Sequence, residues 1–330
     1  MPDRLGPPRE APLFQRLVLV GVGLIGSSIA RAARHLNLAH TLVVVDRDEA
    51  VVARARELRL AEEATTDVAT AVAGADFVIL CVPVGACGAV AEAMSGALSP
   101  GCIVSDVGSV KKSVVAQVAP HLPAGVDFVP AHPVAGTEHS GPDAGFASLF
   151  VNRWCILTPL EETDPAAVQR VQAFWSAMGS DVEIMSAQHH DLVLAITSHL
   201  PHLIAYNIVG TAADLETVTQ SEVIKFSAGG FRDFTRIAAS DPTMWRDVFL
   251  HNREAVLEML ARLNEDIAYL ARAIRWGEGD KLFDLFTRTR AIRRSIISSG
   301  QETPEPDFGR RRSDSEGDDT VRASPDTSHR

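Results

Sequence analysis

With 330 residues, 46% of them hydrophobic, the chain is long enough for two domains with cores of their own. A net charge of −11 argues against nucleic-acid binding, which needs a basic surface, but leaves room for a locally placed arginine to hold an anionic small molecule. The four cysteines, Cys81, Cys87, Cys102 and Cys155, lack CxxC or metal-ligand spacing, so free thiols in a reducing cytosol are expected.

Residues 1–12 carry charges and prolines without the apolar stretch of a secretion signal, and read as a flexible arm. From Leu13 to about Met185, short β-branched runs alternate with amphipathic segments, the pattern of a parallel sheet covered by helices. The runs are Arg16–Val20, Thr41–Val45, Phe77–Val82, Cys102–Asp106, Asp127–Pro130 and Trp154–Thr158, with a helix over Pro165–Met178 and a last strand at Asp181–Ile184. The nearly uncharged stretch Phe77–Ala91 is too short to cross a membrane and contains Pro83, so a cytoplasmic protein without membrane partners is expected. From Ser186 the pattern becomes helical throughout, over Ala187–Leu215, Pro242–Ile274 and Asp280–Ser298. The expected organisation is a nucleotide-binding domain over 13–185, a helical domain over 186–298, and a disordered tail over 299–330, where only Phe308 and Val321 are bulky and apolar.

Gly21-Val22-Gly23-Leu24-Ile25-Gly26 follows the first strand and opens a helix. In a dinucleotide-binding turn, Gly21 permits the bend, Gly23 lets the backbone approach a pyrophosphate, and Gly26 allows helix and strand to pack closely. The helix N-terminus, with Leu24 and Ile25 in its first turn, supplies amide donors to the phosphates. Asp46 ends the second strand about twenty positions later, where an acid accepts hydrogen bonds from ribose hydroxyls and repels a 2′-phosphate. NAD is therefore favoured over NADP, although Arg47 beside the acid could pair with that phosphate or stack on adenine. Val82 and Pro83 end another strand, where small neighbours suit a backbone passing beside the cofactor.

Ser105-Asp106-Val107-Gly108-Ser109-Val110-Lys111 ends a strand and enters a helix. Ser109 has two readings, N-cap of that helix or hydroxyl donor to a ligand. Lys111 and Lys112 in a first helical turn are disfavoured by the dipole and hint at an anionic neighbour. His132 precedes Pro133, which biases it to an extended backbone at a strand end and lets the imidazole enter a cleft. Alcohol oxidation needs a proton acceptor of near-neutral pKa, and beside the glycine fingerprint His132 is the residue for it.

These segments, together with His132–Gly141, Ser198-His199-Leu200-Pro201-His202 and Gly229-Gly230-Phe231-Arg232-Asp233-Phe234-Thr235-Arg236, resemble the prephenate/arogenate (cyclohexadienyl) dehydrogenase family of tyrosine biosynthesis over about Leu13–Ser298. The resemblance implies an α/β Rossmann-type domain followed by an all-α dimerisation and substrate domain, a homodimer, and NAD-dependent oxidative decarboxylation of prephenate or arogenate, a dicarboxylate and an amino-acid substrate. It implies His132 as the imidazole that takes the C4 hydroxyl proton, Ser109 as its partner, Arg236 as the substrate-carboxylate arginine, and His202 as a substrate-placing imidazole. It also implies Glu138 and Thr137 as a gate over the pocket, and Trp245 as an aromatic wall. Independent readings stay open for three of these: Arg232 and Arg236 with Asp233 form a surface ion-pair pattern, and Trp245 suits a core or a dimer interface. No metal is expected, because His199 and His202 lack a third convergent ligand. The competing enzyme class, two-domain 3-hydroxyacid dehydrogenases, would place a catalytic lysine in the first helix of the second domain, and Ala187–Leu215 has none. A non-catalytic dinucleotide sensor would be expected to lack His132, Ser109 or Arg236, and all three are present.

Overall fold

The computed structural model describes residues 5–137, 139–219 and 228–296, with the side chains of 215–219 left aside. Six parallel strands make the first sheet: β1 (Phe14–Val20), β2 (Ala39–Val45), β3 (Glu63–Thr65), β4 (Phe77–Leu80), β5 (Ile103–Asp106) and β6 (Asp127–Val129), in the order 3-2-1-4-5-6. Leu17–Val20, Val43–Val45 and Phe77–Leu80 are buried on both faces, which is why they read as unbroken apolar runs. Helices α1 (Leu24–Leu36), α2 (Glu49–Glu57), α3 (Val68–Val72), α4 (Cys87–Met94) and α5 (Lys112–Val118) make the crossovers. Strand order reverses between β1 and β4, so the ligand crevice of such a sheet opens where Gly21 and Val82 leave those strands.

β3 is an edge strand of Glu-Ala-Thr with no β-branched run, which is why the residue pattern does not announce it. Residues 5–12 do not hang free: the Arg9 N–H donates to the Leu36 carbonyl at 2.9 Å, and Asn37 Nδ2 donates to the Arg9 carbonyl at 3.0 Å. A larger difference concerns Trp154–Thr158, which does not join the parallel sheet. The chain turns at Pro130 straight from β6 into β7 (Ala131–Pro133), which pairs antiparallel with β8 (Trp154–Leu157). β9 (Asp181–Ile184) then adds to β8 in parallel, giving a separate three-stranded sheet. Pro130 has no N–H for the ladder, so the first sheet ends there. His132 consequently lies within a strand, opposite Ile156.

α6 (Pro165–Ala177) covers the sheet with Phe174 and Trp175, both fully buried. Phe174 meets Phe77 edge-on at 5.2 Å, and Phe77 stacks on Phe14 at 4.4 Å. Beyond β9 the chain is helical. α7 (Ala187–Leu194) starts with Ser186 Oγ accepting the His189 N–H, passes through a π turn at Ala195–His199, and continues as α8 (Leu200–Thr219). Pro201 cannot donate to Thr197, and the helix widens in the turn that precedes it. Then come α9 (Gly229–Thr235), a short 3₁₀ turn at Arg236–Ala239, α10 (Pro242–His251), α11 (Arg253–Trp276) and α12 (Gly279–Ile296). The single helix expected over Pro242–Ile274 is broken at Asn252, whose side chain is engaged elsewhere. Trp245 and Val248 of α10 join the core beneath the parallel sheet, so the two parts share packing.

By length and composition Ala187–Asp214 is apolar enough to cross a membrane. Its buried face nonetheless holds His190, Asp191 and His199, whose partners include residues of the nucleotide-binding part. Glu138, the residues 220–227 and the expected tail over 299–330 lie outside the described residues.

Candidate active site

The glycine turn has the shape its sequence demands. Gly21 sits at φ +104° with its N–H donated to the Val45 carbonyl at 2.7 Å, and a Cβ there would lie 2.5 Å from the Cys81 carbonyl oxygen. A Cβ on Gly26 would fall 2.1 Å from the Gly21 carbonyl oxygen, so α1 can approach β1 only with glycine at that place. A Cβ on Gly23 would meet nothing within 4 Å. That open space, at a helix N-terminus with no side-chain cap, fits a pyrophosphate taking hydrogen bonds from the first turn at Leu24 and Ile25. Asp46 Oδ2 accepts the Val22 N–H at 2.9 Å, and Oδ1 accepts that of Asp48 at 3.1 Å. The acid thus holds the turn from below and stands at the strand end where a ribose would lie. Arg47 and Pro83 are exposed, and Val82 Cγ1 stands 3.1 Å from where a Gly21 Cβ would be.

Across the crevice, the loop from β5 to α5 is organised by a fully buried ion pair. Lys111 Nζ donates to Asp106 Oδ2 and, at 2.6 Å, to the Ala131 carbonyl. Asp106 also accepts the Gly108 N–H at 2.7 Å and the Ala131 N–H at 3.2 Å. Each charge is therefore paired and hydrogen-bonded, the condition for ions to lie inside a core. Both backbone groups of Ala131 are held by this pair, and Ala131 carries the next residue, His132, into the site.

Ser109 is half-buried in that loop and is not the helix N-cap. α5 begins at Lys112, and its orphan amides are satisfied from the other domain: Asp191 Oδ1 accepts the Lys111 N–H at 2.7 Å and Oδ2 that of Lys112 at 2.9 Å. The anion suggested by two lysines at a helix start is thus part of the protein, supplied as Asp106 to one side chain and Asp191 to the two amides.

His132 is buried, with 8% of its surface exposed, and its Nδ1 lies 2.8 Å from His190 Nε2. His190 Nδ1 in turn lies 2.8 Å from Asp191 Oδ1. Burial, then the neighbouring His190, Lys111 and His199, hold the His132 pKa well below its ordinary value. Burial lowers His190 likewise, against the opposing pull of Asp191. His199 is fully buried in the π turn. Asn252 Nδ2 faces its Nδ1 at 3.0 Å while donating to the Asp191 carbonyl at 2.8 Å. An amide nitrogen only donates, so His199 Nδ1 is the acceptor and its proton is on Nε2. That Nε2 has no hydrogen-bond partner among the described residues, although it faces the Ser109 backbone. Burial brings the His199 pKa down to about 4.

His202 stacks on Trp245 with ring centroids 3.6 Å apart, and its Nδ1 donates to the Ser198 carbonyl at 2.9 Å, which leaves Nε2 as an acceptor. Trp245 is buried and lies edge-on to His199 at 6.1 Å. Arg236 is exposed at the start of the 3₁₀ turn, and its charge is felt at His202, whose pKa is lowered mainly by burial and further by this cation. The structure thus links Ser109, His199, Trp245, His202 and Arg236 as successive neighbours, with His199 near enough to His132 for its charge to act there. Thr137 is exposed and bonds within its own loop, its Oγ1 accepting the His139 N–H at 3.2 Å. No hydrogen bond among the described residues ties it to His132, His190, His199 or His202. The parts that five residues play in the candidate site escape sequence reasoning: His190, Asp191, Asn252, and Asp106 with Lys111 as a pair. Only the last left a signal, the two lysines at a helix start.

Comparison with known proteins decides the family. Residues 29–184 match the prephenate dehydrogenase nucleotide-binding domain and residues 186–288 match the prephenate dehydrogenase dimerization domain. The chain belongs to the prephenate dehydrogenase family. The cyclohexadienyl dehydrogenase of Zymomonas mobilis is 43% identical over 284 residues, which is 86% of this chain and 97% of that relative. The A. aeolicus prephenate dehydrogenase, solved with hydroxyphenyl propionate and NAD+, superposes with a TM-score of 0.80 at 34% identity, covering 86% of this chain and 98% of that one. A Synechocystis arogenate dehydrogenase follows at TM-score 0.73 and 28% identity, over 85% of this chain and 99% of that one. The Rossmann-type domain followed by a helical domain is therefore as the sequence led one to expect.

Proposed function

We propose that this dehydrogenase catalyses the NAD-dependent oxidative decarboxylation of prephenate, arogenate or both, with His132 accepting the proton of the ring C4 hydroxyl. One observation carries the reading: a buried imidazole, kept neutral by its surroundings, stands with one nitrogen hydrogen-bonded to His190 and the other without a hydrogen bond among the described residues. NAD, when bound, supplies the acceptor for the hydride that leaves C4. His132 Nε2 takes the hydroxyl proton, so C4 becomes a carbonyl carbon. The C1–carboxylate bond then breaks, CO2 leaves, and its electron pair enters the ring, which aromatises to 4-hydroxyphenylpyruvate or tyrosine. Aromatisation drives the reaction, so the protein needs mainly orientation and charge placement.

Ser109 orients the hydroxyl. Arg236 takes the side-chain carboxylate by a charge-assisted hydrogen bond, and His202, held flat by Trp245, presents Nε2 beside it. Glu138 with Thr137 gates the pocket. Gly21, Gly23 and Gly26 cradle the pyrophosphate and Asp46 the adenosine ribose, which favours NAD over NADP. The domain boundary falls near Met185. The exposed apolar residues of α11 and α12, among them Trp276 at 71% and Phe283 at 70%, are covered in a homodimer, in keeping with the dimerization-domain match. The enzyme works in the cytoplasm.

Steady-state rates with prephenate and with arogenate, each with NAD and NADP, test the assignment. Turnover of at least one substrate with NAD is expected, and turnover of neither would overturn it. His132→Ala is expected to lower kcat by about 10²- to 10⁴-fold with a small change in KM. Unchanged turnover would refute the base role.

A further inference from the structure

We propose that His190 and Asp191, both from the helical domain, are positioning residues for His132, fixing its proton on Nδ1 so that Nε2 faces the substrate as a lone pair. The inference rests on reading His132 as the base, and follows from donor and acceptor bookkeeping along one buried chain of atoms.

Asp191 accepts two backbone amide protons, from Lys111 at 2.7 Å on Oδ1 and from Lys112 at 2.9 Å on Oδ2. Amides only donate, so this carboxylate offers lone pairs, and His190 Nδ1, 2.8 Å from Oδ1, must be the protonated nitrogen of its ring. A neutral His190 then has only an acceptor on Nε2. His132 Nδ1 lies 2.8 Å from that atom, so it must carry the proton. The tautomer of the base is therefore dictated from a different domain, two residues away in space, and the opposite tautomer would set a protonated Nε2 against the hydroxyl that must be deprotonated. The groups facing the two rings are Lys111 and Asp106 from the β5–α5 side, His199 from the π turn, and Asp191 from α7. Lys111 is neutralised by Asp106, and burial keeps both imidazoles neutral. Asp191 is itself immobilised, since its two oxygens are locked on the start of α5 and its carbonyl accepts from Asn252 at 2.8 Å. Orientation and tautomer are thus set together.

The direct test needs no substrate. In the full-length chain labelled with ¹⁵N-histidine, with the His132 signal assigned by its loss in His132→Asn, the ring shifts at neutral pH should report a proton on Nδ1. A proton on Nε2 would overturn the proposal, whatever the enzyme turns over. The kinetic test compares His190→Leu, which removes the acceptor at similar volume, with His190→Gln, whose amide oxygen can accept from His132 Nδ1. His190→Leu is expected to lose about 10- to 100-fold in kcat with KM values for substrate and NAD within about two-fold, and His190→Gln to recover most of it. A His190→Leu enzyme with parental kcat, or a folded His190→Gln enzyme as slow as His190→Leu, would each overturn it. Should His190→Leu fail to fold, His190→Gln and the tautomer decide. If the parent chain turns over neither prephenate nor arogenate, the functional assignment falls, while the tautomer still decides the hydrogen-bond chain.

Discussion

Acid should unfold this protein through its buried histidines before its carboxylates titrate. Burial lowers the pKa values of His132, His190, His199 and His202. In the unfolded chain each returns to the ordinary imidazole value of about 6.5. Below that pH the unfolded chain binds more protons than the native one, so stability is full above about pH 6.5 and falls as pH drops toward the native values. His199 allows the size to be worked out. A native pKa of about 4 against 6.5 costs about 3.4 kcal/mol when the shift is fully expressed, and about 2 kcal/mol between pH 7 and pH 5. His132 and His190 add in the same direction. The assay is urea denaturation followed by tryptophan fluorescence at fixed protein concentration, at several values between about pH 8 and pH 5. His199→Gln should be less stable near pH 8 yet lose less on acidification, because one of the titrating groups is gone. A midpoint that stays level from pH 7 to pH 5, or an identical pH slope in His199→Gln, would refute the reasoning.

Two glycines of the same turn should respond differently to a single methyl group. Gly26→Ala places its Cβ 2.1 Å from the Gly21 carbonyl oxygen, backbone against backbone, so melting temperature and NAD affinity should fall together, with an overpacking cost of about 1–3 kcal/mol. Gly23→Ala meets nothing within 4 Å, so its melting temperature should hold while the KM for NAD rises; equal melting temperatures for the two variants would contradict this. Arg236→Gln should raise the substrate KM by about 10- to 100-fold, the value of a charge-assisted hydrogen bond, with kcat changed far less. An unchanged KM in steady-state assays would remove Arg236 from carboxylate binding.

Much of the first domain was legible because its strands are buried on both faces and therefore composed of unbroken β-branched runs. β3 was not, being a three-residue edge strand that needs no such run. The second sheet was hidden for another reason: Trp154–Leu157 has the composition of any buried strand, and only the turn at Pro130 diverts its partner away from the parallel sheet. At the site, the residues readable in advance were those whose local chain geometry is unusual, namely the glycines, the histidine before a proline and the lysines at a helix start. His190, Asp191 and Asn252 have ordinary helical or helix-end surroundings, and their roles arise from contacts spanning 58 to 80 positions, which no local pattern records.

Those long contacts also explain an otherwise expensive feature. Burying Asp106 and Lys111 as a pair gains little net stability over two apolar residues of the same shape, because the desolvation of both charges offsets their attraction. What apolar residues could not do is hold both the N–H and the carbonyl of Ala131 while leaving the lysine backbone N–H free for Asp191. Asp106–Lys111 fixes where the strand of His132 begins, and Asp191 fixes which way its ring is protonated. One lysine joins the two, through its side chain on one side and its amide on the other. A base assembled this way is complete only while the helical part is docked on the sheet. On the proposed reading the covering helices contribute to the chemistry itself, as well as to holding the substrate.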